Sequence, residues 1–123
     1  MSTLLFIINV KKNEVEVKKM KLVNVTNSYK QLVNKQLENT DAYFVKVYSA
    51  GNTTVVYTEA AQHAEILIVN KKRAVRKTEI NEVLAYFLKR IPKEKYDRNQ
   101  ISIIELKDVI EISIPMTSSL VEN

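Results

Sequence analysis

The residues best suited to chemistry in this chain are lysines and arginines gathered in one stretch. Between Lys71 and Arg98 the sequence contains ten Lys or Arg and four Asp or Glu, a local net charge of +6. The remainder has a net charge of −1, so this stretch accounts for the whole excess of +5. Clustered cations are typical of proteins that bind phosphate groups, and a solvated lysine-rich surface is the alternative interpretation.

Few other residues support catalysis or metal binding. The sequence has no cysteine and one histidine, His63, which lacks the further Cys or His ligands of a typical zinc site. It also lacks a glycine-rich phosphate-binding loop and the nucleophile turn of hydrolases. We therefore expect no cofactor and no metal ion, and we interpret His63 as a packing or surface residue.

The one glycine, Gly51, lies between a β-prone run, Ala42–Ser49, and an alanine-containing run, Thr54–Leu67. Glycine adopts positive φ readily and lets another backbone approach closely. A tight strand-to-helix turn is therefore one interpretation, with exposed amides that face a ligand. The alternative is a β-hairpin in which SAGN forms the turn.

The segment before the glycine predicts a helix followed by a central strand. Thr26 or Asn27 is a candidate N-cap for this helix. Four apolar residues at helical spacing would form its buried face: Tyr29, Leu32, Val33 and Leu37. The run at Ala42–Ser49 is apolar on both faces, which is typical of a central strand.

Two later segments fit either a helix or a strand. The helical interpretation of residues 52–70 has one apolar face, formed by Val56, Ala60, Ala64 and Leu67. Within the same range Ile66–Val69 is β-prone, so AEILIVN is a rival strand. Residues 79–91 fit both periodicities, and periodicity alone does not separate them.

With a helix after Gly51, the order is β-α-β-α-β-β between about residues 18 and 115, and it resembles the Alba superfamily of nucleic-acid-binding proteins. The resemblance rests on VKVYSAGNTTVVYTEAAQHAEIL, whose strand, small-residue turn at Ser49–Gly51 and AEIL helix end are similar to the family's. KLVNVTNSYKQLV is similar to the family's first strand and helix, and the strands at 101–104 and 109–114 resemble its last hairpin. A second alignment sets KKRAVRK, residues 71–77, against the archaeal strand-to-helix loop and requires an extra hairpin before it.

The resemblance implies an α+β protein that binds RNA or DNA without catalysis and forms a homodimer or an Alba-like heterodimer. Cations would neutralise phosphate, and turn amides would orient it. A basic β-hairpin arm, with Tyr96 at its tip, would embrace a groove or stack on a base. The predicted nucleic-acid-binding residues are Lys30, Ser49, Gly51, Asn52, Lys71, Lys72, Arg73, Arg76, Lys77, Lys89, Arg90, Lys93, Lys95, Tyr96 and Arg98.

One further group of residues keeps an enzyme as an alternative. Asp97 precedes Glu105 and Lys107, which lie two apart on a β-rich run, and this pattern resembles the core of metal-dependent PD-(D/E)xK nucleases. That resemblance implies two carboxylates on Mg²⁺ and a lysine that polarises water or phosphate, with Glu79 or Glu82 as a third carboxylate. A second alternative is a protein-interaction subunit of a viral or ribonucleoprotein assembly.

Length and composition predict one domain of an intracellular protein, cytoplasmic or nuclear, without a membrane partner. The chain has 123 residues, none of them cysteine, and no apolar run of membrane-spanning length. We expect an N-terminal strand or hairpin at residues 1–17, an Alba-like domain at residues 18–115 and a flexible tail at residues 116–123.

Overall fold

The computed structural model of the chain describes residues 20–117, in which two helices flank a six-stranded antiparallel sheet. The strands are β1 (Val23–Asn24), β2 (Phe44–Ala50), β3 (Thr53–Glu59), β4 (His63–Asn70), β5 (Ser102–Glu105) and β6 (Ile110–Pro115). The helices are α1 (Lys30–Asn39) and α2 (Lys77–Leu88), and short 3₁₀ turns occur at Thr26–Tyr29, Lys93–Lys95 and Arg98–Gln100. The spatial order of the strands is β1-β2-β3-β4-β6-β5. The described part of the protein is therefore α+β.

The chain order is β-α-β-β-β-α-β-β, which differs from the predicted β-α-β-α-β-β. The predicted helix at residues 52–70 is wrong, because this range forms β3 and β4 joined by a turn at residues 60–62. Gly51 therefore lies in the turn of a β-hairpin, which was the alternative interpretation of SAGN. The rival strand AEILIVN and the helical interpretation of residues 79–91 are confirmed as β4 and α2.

Side-chain alternation explains why β3 and β4 are strands. The residues of β3 that face α2 are buried at every second position: Thr53, Val55, Tyr57 and Glu59. β-branched and aromatic side chains fit such a pleated, half-buried surface. Two members of the predicted helical face, Val56 and Leu67, are instead paired across β3 and β4 on the opposite side of the sheet. Their helical spacing was coincidental.

The main core lies between α2 and one face of the sheet. The central residues of β4 and β6 pack there with three residues of α2: Ile66, Ile68, Ile112, Ile114, Ile80, Val83 and Phe87. The ring of Tyr57 in β3 stacks on that of Phe87, with centroids 4.4 Å apart. Neither α1 nor α2, the helices of the described range, is both long and apolar enough to cross a membrane.

Helix α1 lies against the opposite face of the sheet at β2. It contacts β2, where Val45 and Val47 are buried outside the main core. The prediction that its apolar residues form a buried face is met only in part, because none is fully buried and Leu32 and Leu37 stay exposed. On the rest of this face the side chains of β4 and β6 are half-buried, and those of β5 are exposed.

The predicted N-cap of α1 is wrong. A 3₁₀ turn precedes the helix, and no side chain caps either element. The hydroxyl of Thr26 instead accepts a hydrogen bond from the N–H of Val47 at 3.0 Å, and the N–H of Val25 donates to the carbonyl of Val47 at 2.8 Å. The Thr26 side chain, predicted to cap the helix, therefore satisfies a backbone N–H at the outer edge of β2.

The last described residues are held by the body of the protein. Met116 is buried, and its N–H donates to the carbonyl of Gln62 at 2.8 Å. The N–H of Thr117 donates to the carbonyl of Lys95 at 2.7 Å. The predicted tail is thus anchored at its first two residues. Residues 118–123 and the predicted N-terminal strand or hairpin at residues 1–17 lie outside the described residues.

Gly51 gives a prediction about stability. Its φ is +62°, and a Cβ placed on it would meet no atom within 4 Å. Gly51→Ala should lower the free energy of unfolding by about 1 kcal/mol, because the left-handed backbone alone penalises the new side chain. Gly51→Asn should lose about half as much, since asparagine tolerates this conformation better. Urea denaturation measures both, and equal losses in the two variants would contradict this interpretation.

Candidate nucleic-acid interface

The predicted basic residues are divided between the two ends of the sheet. The Gly51 end comprises the β2–β3 turn, the β4–α2 loop (residues 71–76) and the β5–β6 turn. The Glu59 end comprises the β3–β4 turn and the segment after α2 (residues 89–100). Strand β3 separates the two ends by about 20 Å. Lys71–Lys77 and Lys89–Arg98 therefore do not form one surface within a single copy of the chain.

Asn70, the last residue of β4, fixes the shape of the β4–α2 loop. Its Nδ2 donates to the hydroxyl of Thr53 at 2.8 Å. Its Oδ1 accepts from the backbone N–H groups two and three residues further on, at 2.8 and 2.9 Å. The N–H of Lys71 donates to the carbonyl of Asn52 at 3.0 Å, which ties the loop to the β2–β3 turn. Backbone and amide groups therefore hold the loop without help from its lysine side chains.

Arg73 forms an ion pair with Glu79 in the first turn of α2. Its two terminal nitrogens donate to the two carboxylate oxygens at 2.8 and 2.7 Å. Glu79 also accepts the backbone N–H of Arg76 at 2.8 Å. The hydrogen bonds from Arg73, and next the one from Arg76, lower the pKa of Glu79 from 4.5 to about 2. The guanidinium of Arg73 thus already has a carboxylate partner, and it joins the loop to the helix.

The other cations of the loop and of the start of α2 are exposed: Lys71, Lys72, Arg76 and Lys77. Lys71 and Lys72 line a cleft of about 400 Å³ between the β4–α2 loop and the β5–β6 turn. Within residues 20–117, no ion pair joins either lysine to a carboxylate. An anion can therefore approach the cleft from the side of the loop.

Two lysines outside the predicted phosphate-binding set also lie at the Gly51 end. Lys107, which the sequence suggested only for the nuclease alternative, lines the far wall of the same cleft. Lys21 borders a neighbouring depression beside Gly51. Sequence reasoning missed both because their proximity to the loop depends on strand pairing, and neither belongs to the basic stretch.

Arg90, a predicted phosphate ligand, belongs to an ionic network at the Glu59 end, in which the carboxylate is buried and the Arg90 side chain stays 46% exposed. Its Nε donates to Oε2 of Glu59 at 2.5 Å, and the Tyr57 hydroxyl donates to the same oxygen at 2.5 Å. The Glu59 side chain is only 3% exposed, and the guanidinium lies 4.1 Å from the ring centroid of Phe44. Burial, followed by the bond to Glu59, raises the pKa of Tyr57 well above its ordinary value. Arg90 therefore neutralises a buried carboxylate.

The predicted basic β-hairpin arm is wrong. Residues 89–100 follow α2 as two 3₁₀ turns and their connections, and they pack against the body of the protein. Ile91 is buried, and Tyr96 is half-buried and forms a β-bridge with Met116, so Tyr96 is not at the tip of an arm. The hairpin that the last two strands form has only Lys107 as a cation in its turn. The exposed cations of the segment after α2 are Lys89, Arg90, Lys93 and Arg98.

The remaining predicted residues are scattered. Lys30 is the exposed first residue of α1, on the other face of the sheet from α2. Ser49 is half-buried within β2 and is paired with Val23. Gly51 and Asn52 are exposed in the β2–β3 turn. Gly51 and Asn52, and Ser49 two residues before Gly51, lie at the same end of the sheet as the β4–α2 loop, whereas Lys30 does not belong to this turn.

The residues of the nuclease alternative do not meet. Asp97 caps the 3₁₀ turn at Arg98–Gln100, at the Glu59 end, where its side chain accepts the N–H two residues further on at 2.9 Å. Glu105 and Lys107 lie at the Gly51 end, about 20 Å away along β6. Glu82 accepts the N–H of Met20 at 2.8 Å. In the described residues, no three His, Cys, Asp or Glu side chains are grouped as a metal site requires.

The sheet face opposite α2 is acidic between β4 and β6. Glu65 of β4 and Glu111 of β6 are neighbours on this face. Burial, and next the interaction with the Glu111 carboxyl, raises the pKa of Glu65 above its ordinary value. A carboxyl pair repels phosphate, so this face is a poorer surface for a nucleic acid than the Gly51 end.

Comparison with known proteins identifies similar sequences without an assigned function. The sequence model of a family described as "Domain of unknown function (DUF1827)" matches residues 20–115. Among solved structures, "the crystal structure of a conserved protein of unknown function from Streptococcus thermophilus LMG 18311" is similar, with 47% sequence identity and a TM-score of 0.76. The similarity covers 80% of this chain and 98% of that one. No curated protein matches.

The Glu59–Arg90 network yields a second prediction about stability. Arg90→Met should lower the free energy of unfolding by about 3 kcal/mol, because the Glu59 carboxylate stays buried without its cation. Lys89→Met, at an exposed neighbour, should change it by less than about 0.5 kcal/mol. Glu59→Gln combined with Arg90→Met should regain much of the loss, since the amide still accepts the Tyr57 hydroxyl. Urea denaturation at neutral pH measures all three variants. An Arg90→Met variant as stable as Lys89→Met would refute the role of the network.

The Arg73–Glu79 pair predicts a loss of stability in acid. Because the folded-state pKa of Glu79 is about 2 and its ordinary value is 4.5, the unfolded chain takes up this proton first as the pH falls. The stabilisation is complete above about pH 4.5 and is lost as the pH approaches about 2. Glu79→Gln should flatten the profile in this range, whereas Glu38→Gln, on the exposed side of α1, should not. Chemical denaturation across the range compares them, and identical profiles for wild type and Glu79→Gln would count against the pair.

Proposed function

The chain belongs to the family described as a domain of unknown function, DUF1827, and from that premise we propose that it binds RNA or DNA, without catalysis, through the Gly51 end. The observation that carries the proposal is an anchored loop with exposed lysines. Asn70 and the ion pair of Arg73 hold the loop, while Lys71 and Lys72 line an open cleft. Their charges are therefore available to a polyanion.

The charge density of the loop supports this proposal. Five Lys or Arg lie within the seven residues Lys71–Lys77, and Glu79 is the carboxylate that pairs with one of them. Like charges this close repel one another and destabilise the compact state. A phosphate backbone that binds here relieves the repulsion and releases its own counterions, so affinity should fall steeply with added salt.

The surroundings of the cleft favour one path for a bound strand. Its far wall includes Glu105 and Asp108 as well as Lys107, so that side is not uniformly attractive to phosphate. The near side presents Lys71 and Lys72, followed by Lys77 at the first residue of α2. We expect the phosphates to follow the loop towards the start of α2 and to make few contacts with the β5–β6 turn.

The first alignment with the Alba superfamily gives this proposal little support. The segment that carried it, from the strand before Gly51 to AEIL, is a pair of hairpin-connected strands where the family would have a helix. The second alignment agrees better with the element order, because a hairpin precedes β4 and residues 71–76 form the loop between β4 and α2. An Alba-like relationship through that alignment remains part of the proposal.

Charge reversal of the loop tests the proposed function. Lys71→Glu combined with Lys72→Glu should weaken binding of labelled duplex DNA or single-stranded RNA at least about tenfold and reduce the salt slope by about 2, one unit for each lost phosphate contact. The matched control is Lys30→Glu combined with Lys35→Glu, which changes net charge equally on α1. Fluorescence anisotropy over a salt series measures both variants.

Three outcomes would overturn the assignment. Equal losses in the loop variant and the α1 variant would mean that overall charge, and not this site, drives binding. An unchanged salt slope in the loop variant would exclude Lys71 and Lys72 as phosphate contacts. Probe cleavage that depends on Mg²⁺ would replace non-catalytic binding with nuclease activity.

A further inference from the structure

We infer that the cleft at the Gly51 end holds one nucleotide of a single strand, with the base against the β5–β6 turn, and that it selects cytosine over uracil. The inference rests on the proposed function, because it names the strand and the base that the same cleft takes. It is carried by the opposite character of the two walls, by the way the sheet holds them apart and by the size of the cleft.

The two walls of the cleft differ in charge. The wall formed by the β4–α2 loop presents the ammonium groups of Lys71 and Lys72. The wall formed by the β5–β6 turn presents two carboxylates, those of Glu105 and Asp108, together with Leu106, which is 54% exposed. A nucleotide has a matching polarity, because its phosphate is anionic and its base combines an apolar face with hydrogen-bonding edges. The charges therefore favour the phosphate on the loop side and the base on the turn side.

The sheet, and not attraction between the walls, sets the width of the cleft. The loop wall continues from β4, the turn wall joins β5 to β6, and β4 pairs directly with β6 as far as Ile68 and Ile110. The N–H of Leu106 donates to the carbonyl of Val109 at 2.8 Å, which closes the turn. Within residues 20–117, no ion pair crosses the cleft. Both walls therefore keep charged groups that a ligand can bind.

The size and shape of the cleft favour a single strand. Its volume is about 400 Å³, and pockets of about 300–1,000 Å³ commonly hold one small ligand. An element that reads the bases of a duplex must protrude into a groove, whereas these carboxylates line a concave surface. Bases of a single strand can turn away from their neighbours and expose their Watson–Crick edges. A duplex would therefore offer the cleft only its phosphates.

Carboxylates distinguish cytosine from uracil. The 4-amino group of cytosine donates a hydrogen bond that Asp and Glu side chains accept. Uracil has a carbonyl oxygen at the same position, and a carboxylate repels it. Glu105 and Asp108 are both exposed, and Lys107 between them in the sequence cancels only one of their two charges. The turn wall therefore favours a base that donates over one that accepts.

A pair of isosteric probes tests this selection. Fluorescence anisotropy of the full chain at neutral pH should show oligocytidylate binding at least about fivefold more tightly than oligouridylate of equal length, since hydrogen bonds to charged groups are the stronger ones. Glu105→Gln combined with Asp108→Asn should bind the two probes equally and should bind oligouridylate more tightly than the wild type does. The carboxamides accept from cytosine or donate to uracil, and the repulsion is gone.

A matched control separates this site from overall charge. Glu38→Gln combined with Asp41→Asn makes the same change in net charge at exposed positions in and after α1, and it should preserve the preference for cytosine. Lys71→Glu combined with Lys72→Glu should weaken both probes by the same factor. Circular dichroism confirms that each variant is folded.

The outcomes separate this inference from the proposed function. Equal binding of the two probes by the wild type would overturn the inference, while the proposed function stands if the lysine variant still weakens both. A preference that survives in the carboxamide variant, or a duplex of equal length that binds more tightly than either single strand, would also overturn it. A chain that binds none of the probes would remove the proposed function and the inference together.

Discussion

Strand β3 has a buried polar residue at each end of its core-facing side, and the positions of the other elements depend on how these two residues are satisfied. Val55 and Tyr57 form the apolar centre of this side, while Thr53 and Glu59 lie at its ends. A buried polar group without a partner costs several kcal/mol in an apolar environment. Each end must therefore obtain a partner from an element that lies elsewhere in the chain.

The partners of Thr53 and Glu59 fix the chain just before and just after α2. Thr53 accepts the amide of Asn70, which fixes the start of the β4–α2 loop. Glu59 accepts Arg90, which fixes the chain as it leaves α2. Because α2 lies between these two attachments, its position over the sheet is determined at both ends, and the stacking of Tyr57 on Phe87 holds it in the middle.

The same interactions show why a count of cations does not define a surface. The sequence presents Arg73 and Arg90 as members of a basic stretch, but each has a carboxylate partner. Glu59 lies 31 residues before Arg90, and nothing in the local sequence links them. The planar guanidinium group of arginine suits a site where it is paired with a carboxylate. The lysines, whose charge is compact and strongly hydrated, stay in contact with solvent or with a ligand.

The sequence predicted the elements whose periodicity is unambiguous and failed where two periodicities coincide. The central strand before Gly51, the last two strands and the mixed α+β class agree with the structure. Residues 52–70 were assigned to a helix because alanines and valines happen to recur at helical spacing, while pairing with β2 and β6 makes strands of them. The cations that the sequence proposes for the β4–α2 loop are exposed, and their role in binding stays a prediction. The sequence could not show that α2 separates that loop from the second basic group.

Asn70 separates the shape of the loop from its charge. A neutral side chain makes the hydrogen bonds that set the conformation of the loop, and the side chains of Lys71 and Lys72 take no part in these bonds. Substitution of either lysine therefore changes the charge beside the cleft and leaves the Asn70 bonds in place. Conformation and charge are thus independent variables at this loop, because different residues specify them.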